Sequence, residues 1–216
     1  MTTLTVQVEA NQDDGDRYWD DGMSQYVFDN GDNYAIIGSD NPMMGAYANT
    51  CYFRFLDVDI PSTATINSAK LQYKLHSNYS ADDKTCRIYA STGEISSTAI
   101  TSDTEMTDAQ ALKTVDYTTW SLATSSSSSF LDSSDFTDVV DEIINIDGWD
   151  ASTNNITILL MDPTEADMMD AWEMQVKTHE VSAGADAVKL VVDYTAVTPP
   201  AAATQNGSAF MLFLDT

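Results

Sequence analysis

A chain of 216 residues with 43% apolar side chains is long enough to enclose one sizeable core and too apolar to remain disordered. Its 34 acids against 9 bases leave a net charge of −25. So negative a surface repels nucleic-acid phosphates and anionic bilayers, and neither nucleic acid nor membrane is an expected partner.

Residues 3–9, Thr-Leu-Thr-Val-Gln-Val-Glu, alternate apolar and polar and predict a first strand with Leu4, Val6 and Val8 inward. The Met-Thr-Thr-Leu-Thr-Val start shows neither the basic residues nor the apolar run of a secretory leader, so folding in a cytoplasm is the expectation. Next, Asp13, Asp14, Asp16, Asp20 and Asp21 crowd around Gly15 and Gly22. The EF-hand spacing is not met, and no Glu arrives at the twelfth place. Two readings stand: calcium held by these five carboxylates with backbone oxygens, or an exposed acidic turn with Trp19 packed over it.

Tyr26–Phe28 and Tyr34–Gly38 read as short strands separated by a turn at Asp29-Asn30-Gly31-Asp32-Asn33. Cys51, Phe53 and Phe55 then oppose Tyr52, Arg54 and Leu56, and Ala69, Leu71, Tyr73 and Leu75 oppose Lys70, Gln72, Lys74 and His76. These are two half-buried strands joined by a corner at Pro61, which cannot donate to a ladder. Cys51 and Cys86 both fall in strand-like runs, as buried free thiols by default, with one bridge between neighbouring strands left open.

Residues 91–115 read as loop with one helical turn near Asp108–Leu112, and Ser125–Ser129 as an extended serine loop. Phe136, Val139, Val140, Ile143 and Ile144 fall at i, i+3, i+4, i+7 and i+8, which predicts a helix over Ser134–Ile144 plugging one end of a sandwich. Ile156–Met161 is apolar on both faces and predicts a central strand. Trp172–His179 and Ala187–Tyr194 alternate again, the latter with Val188, Leu190, Val192 and Tyr194 inward. About ten strands at this spacing predict an all-β, antiparallel two-sheet jelly-roll sandwich over residues 1–195, capped by one short helix. A Pro/Ala/Gly linker, 196–208, follows, and then an apolar tail, 209–216, containing Phe210, Met211, Leu212, Phe213 and Leu214.

Several segments resemble the DNRLRE-type jelly-roll domains of surface proteins, carbohydrate-binding modules and phage structural proteins. The resemblance is carried by Phe53-Arg54-Phe55 running into Ile60-Pro61, by Ala64–Leu71, by Phe136–Ile143 followed by Asn154-Asn155-Ile156, and by Ala187–Tyr194. It covers roughly residues 3–195. The name-giving hexapeptide is absent. The resemblance implies the jelly-roll fold, and the leaderless start and apolar tail align this chain with the phage virion members.

An enzyme is not expected. His76 and His179 lie on polar strand faces, and no nucleophile elbow, zinc-binding helix, dinucleotide fingerprint or phosphate loop occurs. The leading expectation is a non-enzymatic virion protein, a capsid decoration or other surface-exposed phage protein made in the host cytoplasm. Phe210–Leu214 would serve as its docking segment, onto a capsid or other virion protein and into a homo-oligomer, with a trimer favoured. The alternative is a carbohydrate-binding module stacking sugars on Trp19, Trp120, Trp149 or Trp172. No cofactor other than calcium is expected.

Overall fold

The computed structural model describes residues 1–20, 23–39, 49–79, 84–93, 99–122, 129–151, 153–161 and 172–197, with the backbone alone for Trp19, Ser39, Asn78, Tyr79, Trp172 and Glu173. Its strands in chain order are β1 (Thr2–Gln7), β2 (Asp14–Asp20), β3 (Gln25–Asp29), β4 (Tyr34–Ser39), β5 (Thr50–Phe55), β6 (Thr65–Tyr73), β7 (Leu75–Tyr79) and β8 (Thr85–Ala90). Helix α1 (Asp103–Ala111) precedes β9 (Thr118–Ser121) and β10 (Leu131–Asp132). Helix α2 (Thr137–Ile144) leads into β11 (Ile156–Met161), β12 (Trp172–Lys177) and β13 (Lys189–Thr195).

All pairings are antiparallel, and they make an all-β sandwich. One layer is a six-stranded sheet in the order β3-β2-β5-β11-β8-β9. The facing layer consists of two sheets, β1-β13-β6-β10 and β4-β12-β7. The chain passes between these two where β6 runs into β7 with a break at Lys74, whose carbonyl accepts the Lys177 amide at 2.9 Å, and again from β12 to β13. The principal core lies between the layers. Phe53, Ile88 and Ile158 come to it from the six-stranded sheet, Leu71, Leu190 and Val192 from the four-stranded one, and Ile37, Met174 and Val176 from the third.

The alternation of β6 carries a correction within itself. Ile66 and Ala69 both face the core although they are three residues apart. A bulge resolves this: Asp193 pairs with Ser68 and Tyr194 with Ile66, which leaves Asn67 as the extra residue. Leu71, Tyr73 and Leu75 then continue inward as expected.

Helix α2 buries Val139, Val140, Ile143 and Ile144, packing on β6 and β8 at one end of the sandwich, with Phe136 buried at its start. The Asp135 carboxylate accepts the Thr137 amide there at 3.0 Å. Gly148, just past the end, has φ +91, a conformation that a side chain would oppose.

A second helix is present where only a turn was expected. Helix α1 is capped by the Ser102 hydroxyl, which accepts the Glu105 amide, while the Glu105 carboxylate accepts the Thr101 amide. It drives Met106 and Ala109 into a second apolar cluster with Tyr52, Tyr89, Ile100 and Leu159. That cluster covers the outer face of the six-stranded sheet. For this reason β5, expected to be half buried, is buried on both faces.

One further expectation changes, and another is met across two sheets. The acidic stretch from Asp14 to Asp20 is a strand rather than a turn. The Asp29–Asn33 turn does exist, but the strands on its two sides belong to different sheets, since β3 pairs with β2 and β4 with β12. It is an inter-layer corner and not a hairpin. Both cysteines are buried thiols with no disulfide between them.

Where β2 and β3 approach, Gly15 leaves no room for a side chain: a Cβ there would stand 2.3 Å from the Asp29 carbonyl oxygen and 2.9 Å from Asn30 Cα. Gly15→Ala is therefore expected to lower stability by about 1–3 kcal/mol, as forced overpacking does. Phe136→Ala should cost about 3–5 kcal/mol through the cavity it leaves. Chemical denaturation of the two variants beside the parent checks both values.

Candidate functional site

Because β2 is a strand, its acids separate by parity. Asp14 stands opposite Phe53 and Asp16 opposite Cys51, so both face the side of the sheet that carries the core. Their carboxylates reach the backbone of the facing layer. Asp14 Oδ2 accepts the His179 amide at 2.8 Å, and Asp16 Oδ2 accepts the Ile36 amide at 2.6 Å. Both amides would otherwise end in a low-dielectric seam without a partner.

Asp13 ends the short 3-10 turn Asn11–Asp13 and takes a different partner. Its Oδ1 receives Arg54 Nη1 at 2.7 Å in an ion pair that is almost fully enclosed. Burial pushes the Asp13 carboxyl above its ordinary range, opposed by Arg54 and reinforced by Glu9. Asp14 is displaced further. Burial is the main cause, the His179 amide bond opposes it, the charges of Glu180 and Asp13 add to it, and the result is a carboxyl raised to about 8.

The turn that follows β12 closes over this pair. His179 Nδ1 lies 2.9 Å from Asn11 Oδ1. Ser182 and Ala183 adopt left-handed backbone with φ 57 and 51, and Gly184 follows with φ 83. Non-glycine residues held this way store strain, and such strain collects at sites with a task. Gly184 is the residue that the packing requires, since a Cβ would come within 2.9 Å of the His179 ring. Gln7 Nε2 ties the turn to β1 by donating to the Gly184 and Ala187 carbonyls. Between them opens a shallow cleft of about 530 Å³ lined by Gln7, Val8, Glu9, His179, Ala183, Gly184 and Ala185. Below the surface, Asp13 Oδ2, Asp14 Oδ1 and both oxygens of Glu180 are buried without a hydrogen-bond donor. Oxygens so placed are suited to a hard cation.

The expected five-carboxylate calcium loop is not assembled by its four described members. Asp13 faces Arg54, Asp14 and Asp16 cap backbone amides, and Asp20 Oδ1 accepts the Met23 amide at 3.0 Å. Among the described residues no group of three histidine, cysteine or acidic side chains is placed to hold a metal ion. Strand formation is the physical reason, since it spreads the acids along an extended chain instead of curling them round one point. Asp21 lies outside the described residues.

The aromatic platform is corrected as well. Trp120 is 3% exposed and packs edge-on against Tyr73 at 4.9 Å between ring centres. Trp149 is 9% exposed and donates its indole N–H to the Ile60 carbonyl at 2.7 Å. Both are core residues. The side chains of Trp19 and Trp172 lie outside the described residues, as do Phe210, Met211, Leu212, Phe213 and Leu214. Glu180, Arg54 and His179 were not singled out with the acids. The one signal in the sequence was that Glu180 directly follows an alternating strand-like run. No family model matches the chain, and no curated protein matches it.

Asp14 gives the fold a pH dependence of definite sign. Its folded-state carboxyl is raised from 3.8 to about 8, so between those values the folded chain holds a proton that the unfolded chain has released. Stability contributed by that proton is present below about pH 4 and is lost as pH rises to about 8, by at most about 1.4 kcal/mol per pH unit. In chelator-treated buffer, Asp14→Asn should flatten this decline and be more stable than the parent at pH 8. Its amide oxygen can still accept the His179 N–H. Denaturant midpoints from pH 5 to pH 9 measure the difference.

Proposed function

We propose that this chain is a non-enzymatic structural protein of a virion, a capsid decoration or other surface-exposed shell component. In this reading the sandwich body is displayed and the segment Phe210–Leu214 docks it. The observation that carries the reading is the disposition of charge. Among nine bases, Arg17, Arg54, Lys70, Lys74 and Lys177 pair with acids, and Arg87, Lys113 and Lys189 lie over aromatic rings. Those eight are engaged within the chain itself, and the 34 acids far outnumber the 9 bases.

A body of this kind repels its own copies, nucleic acid and anionic lipid alike, which favours solubility at high copy number. Association then calls for a segment of another character. Five consecutive large apolar residues supply it, each worth about 1.5–3 kcal/mol when fully buried. An extended apolar segment can add to a neighbour's sheet edge, gaining ladder hydrogen bonds with the burial. The resemblance to phage structural domains points the same way. The glycan-binding reading loses support with the burial of Trp120 and Trp149.

Deletion of residues 208–216 is expected to leave the body folded and abolish self-association or shell attachment. Light scattering coupled to size exclusion, and co-sedimentation with undecorated shells, read the two effects. A truncated chain that assembles and attaches like the parent would remove the reading.

A further inference from the structure

Buried carboxylates in folded proteins almost always meet donors, so four enclosed acidic oxygens without any need an explanation. Three of them lie at one junction. Asp14 is fully buried and spends Oδ2 on the His179 amide, which leaves Oδ1 bare, and Glu180 is the residue that follows that amide. Both oxygens of Glu180 are enclosed and bare as well. Arg54 gives its Nη1 to Asp13, and although its Nε is buried without a partner it makes no hydrogen bond to Asp14 or Glu180.

We propose that Asp14 and Glu180 together hold a divalent cation, calcium foremost, which pins the turn after β12 to β2. The donor set is entirely oxygen, which selects a hard cation over the sulfur- and imidazole-seeking metals. Calcium takes six to eight oxygens in irregular arrangements and fills the remainder with backbone carbonyls and water. Magnesium demands a near-ideal octahedron, which two carboxylates in a turn do not prescribe.

The backbone supplies an independent reason. Ser182, Ala183 and Gly184 hold three successive left-handed conformations, beginning two residues after Glu180. An ion bound to Glu180 would anchor the segment that carries that strain. The site differs from a loop of clustered aspartates: Asp16 and Asp20 are committed to amides and stand outside it.

The test uses the full chain, stripped with chelator and titrated with calcium chloride at constant ionic strength. Melting temperature should rise by a few degrees at millimolar calcium, as a ligand that binds only the folded state requires. Calorimetry should show one site. Asp14→Asn and Glu180→Gln should both fold, since each keeps the size of the side chain and an acceptor oxygen, and each should weaken calcium binding by about tenfold or more. Asp20→Asn should bind like the parent. An unchanged melting temperature and no heat of binding up to about 10 mM calcium would overturn the proposal. So would a calcium response that survives equally in Asp14→Asn, Glu180→Gln and Asp20→Asn, which would mark diffuse binding to the acidic surface.

Discussion

Two carboxylates on one face of β2 hold the seam between the layers. Asp14 takes the His179 amide and Asp16 the Ile36 amide, so one binds the turn that follows β12 and the other the backbone of β4. Apolar packing alone resists separation of two layers but is indifferent to small slides between them. A directional hydrogen bond to a single amide is not, because it weakens steeply as its distance and angle depart from the optimum. These two contacts therefore fix where β4 and β12 sit over β2. The position of the 179–185 turn, and with it the cleft and the buried acids, follows from that registration.

The arrangement is costly. Asp14 is stripped of water and sees Glu180 and Asp13, and it receives one donor in return. A neutral residue with an acceptor would hold the same amide at lower cost. Retaining an acid with a bare oxygen in such a place stabilises little by itself, and sense returns only when a proton or an ion completes it. The strain stored in Ser182 and Ala183 lies on the same segment. Local cost and local strain thus coincide in one turn, while the core elsewhere, from Phe53 to Leu190, conforms to ordinary strand patterning.

That contrast also explains what the sequence disclosed. Strands β6 and β13, the unbroken apolar run of β11 and the stripe of α2 were legible because alternation, continuous apolarity and helical spacing report burial directly. β2 was not, because its inward positions are aspartates, and an acid at a core position reads as a loop residue. The helix α1 escaped for a different reason: its apolar face consists of little more than Met106 and Ala109. The Ser102-x-x-Glu105 capping pattern would have found its start. Pairing across layers was likewise hidden, since a turn sequence such as Asn30-Gly31 specifies a reversal but not the sheet to which the next strand belongs. The meeting of Glu180 with Asp14, across more than half the chain, leaves no local trace at all.

The neighbouring placement of the first and last strands has a mechanical consequence. Thr2 stands opposite Tyr194, so the outer ends of β1 and β13 lie side by side. A force drawing these two ends apart acts on one rung of the ladder at a time and peels it open. A pull on the end of β13 alone, resisted by the rest of the body, instead loads its whole ladder with β6, from Lys189–Gln72 to Thr195–Thr65, in shear. The same strand is thus a weak fastening against one direction of traction and a strong one against the other. A body anchored through residues that follow β13 is held by the strong one.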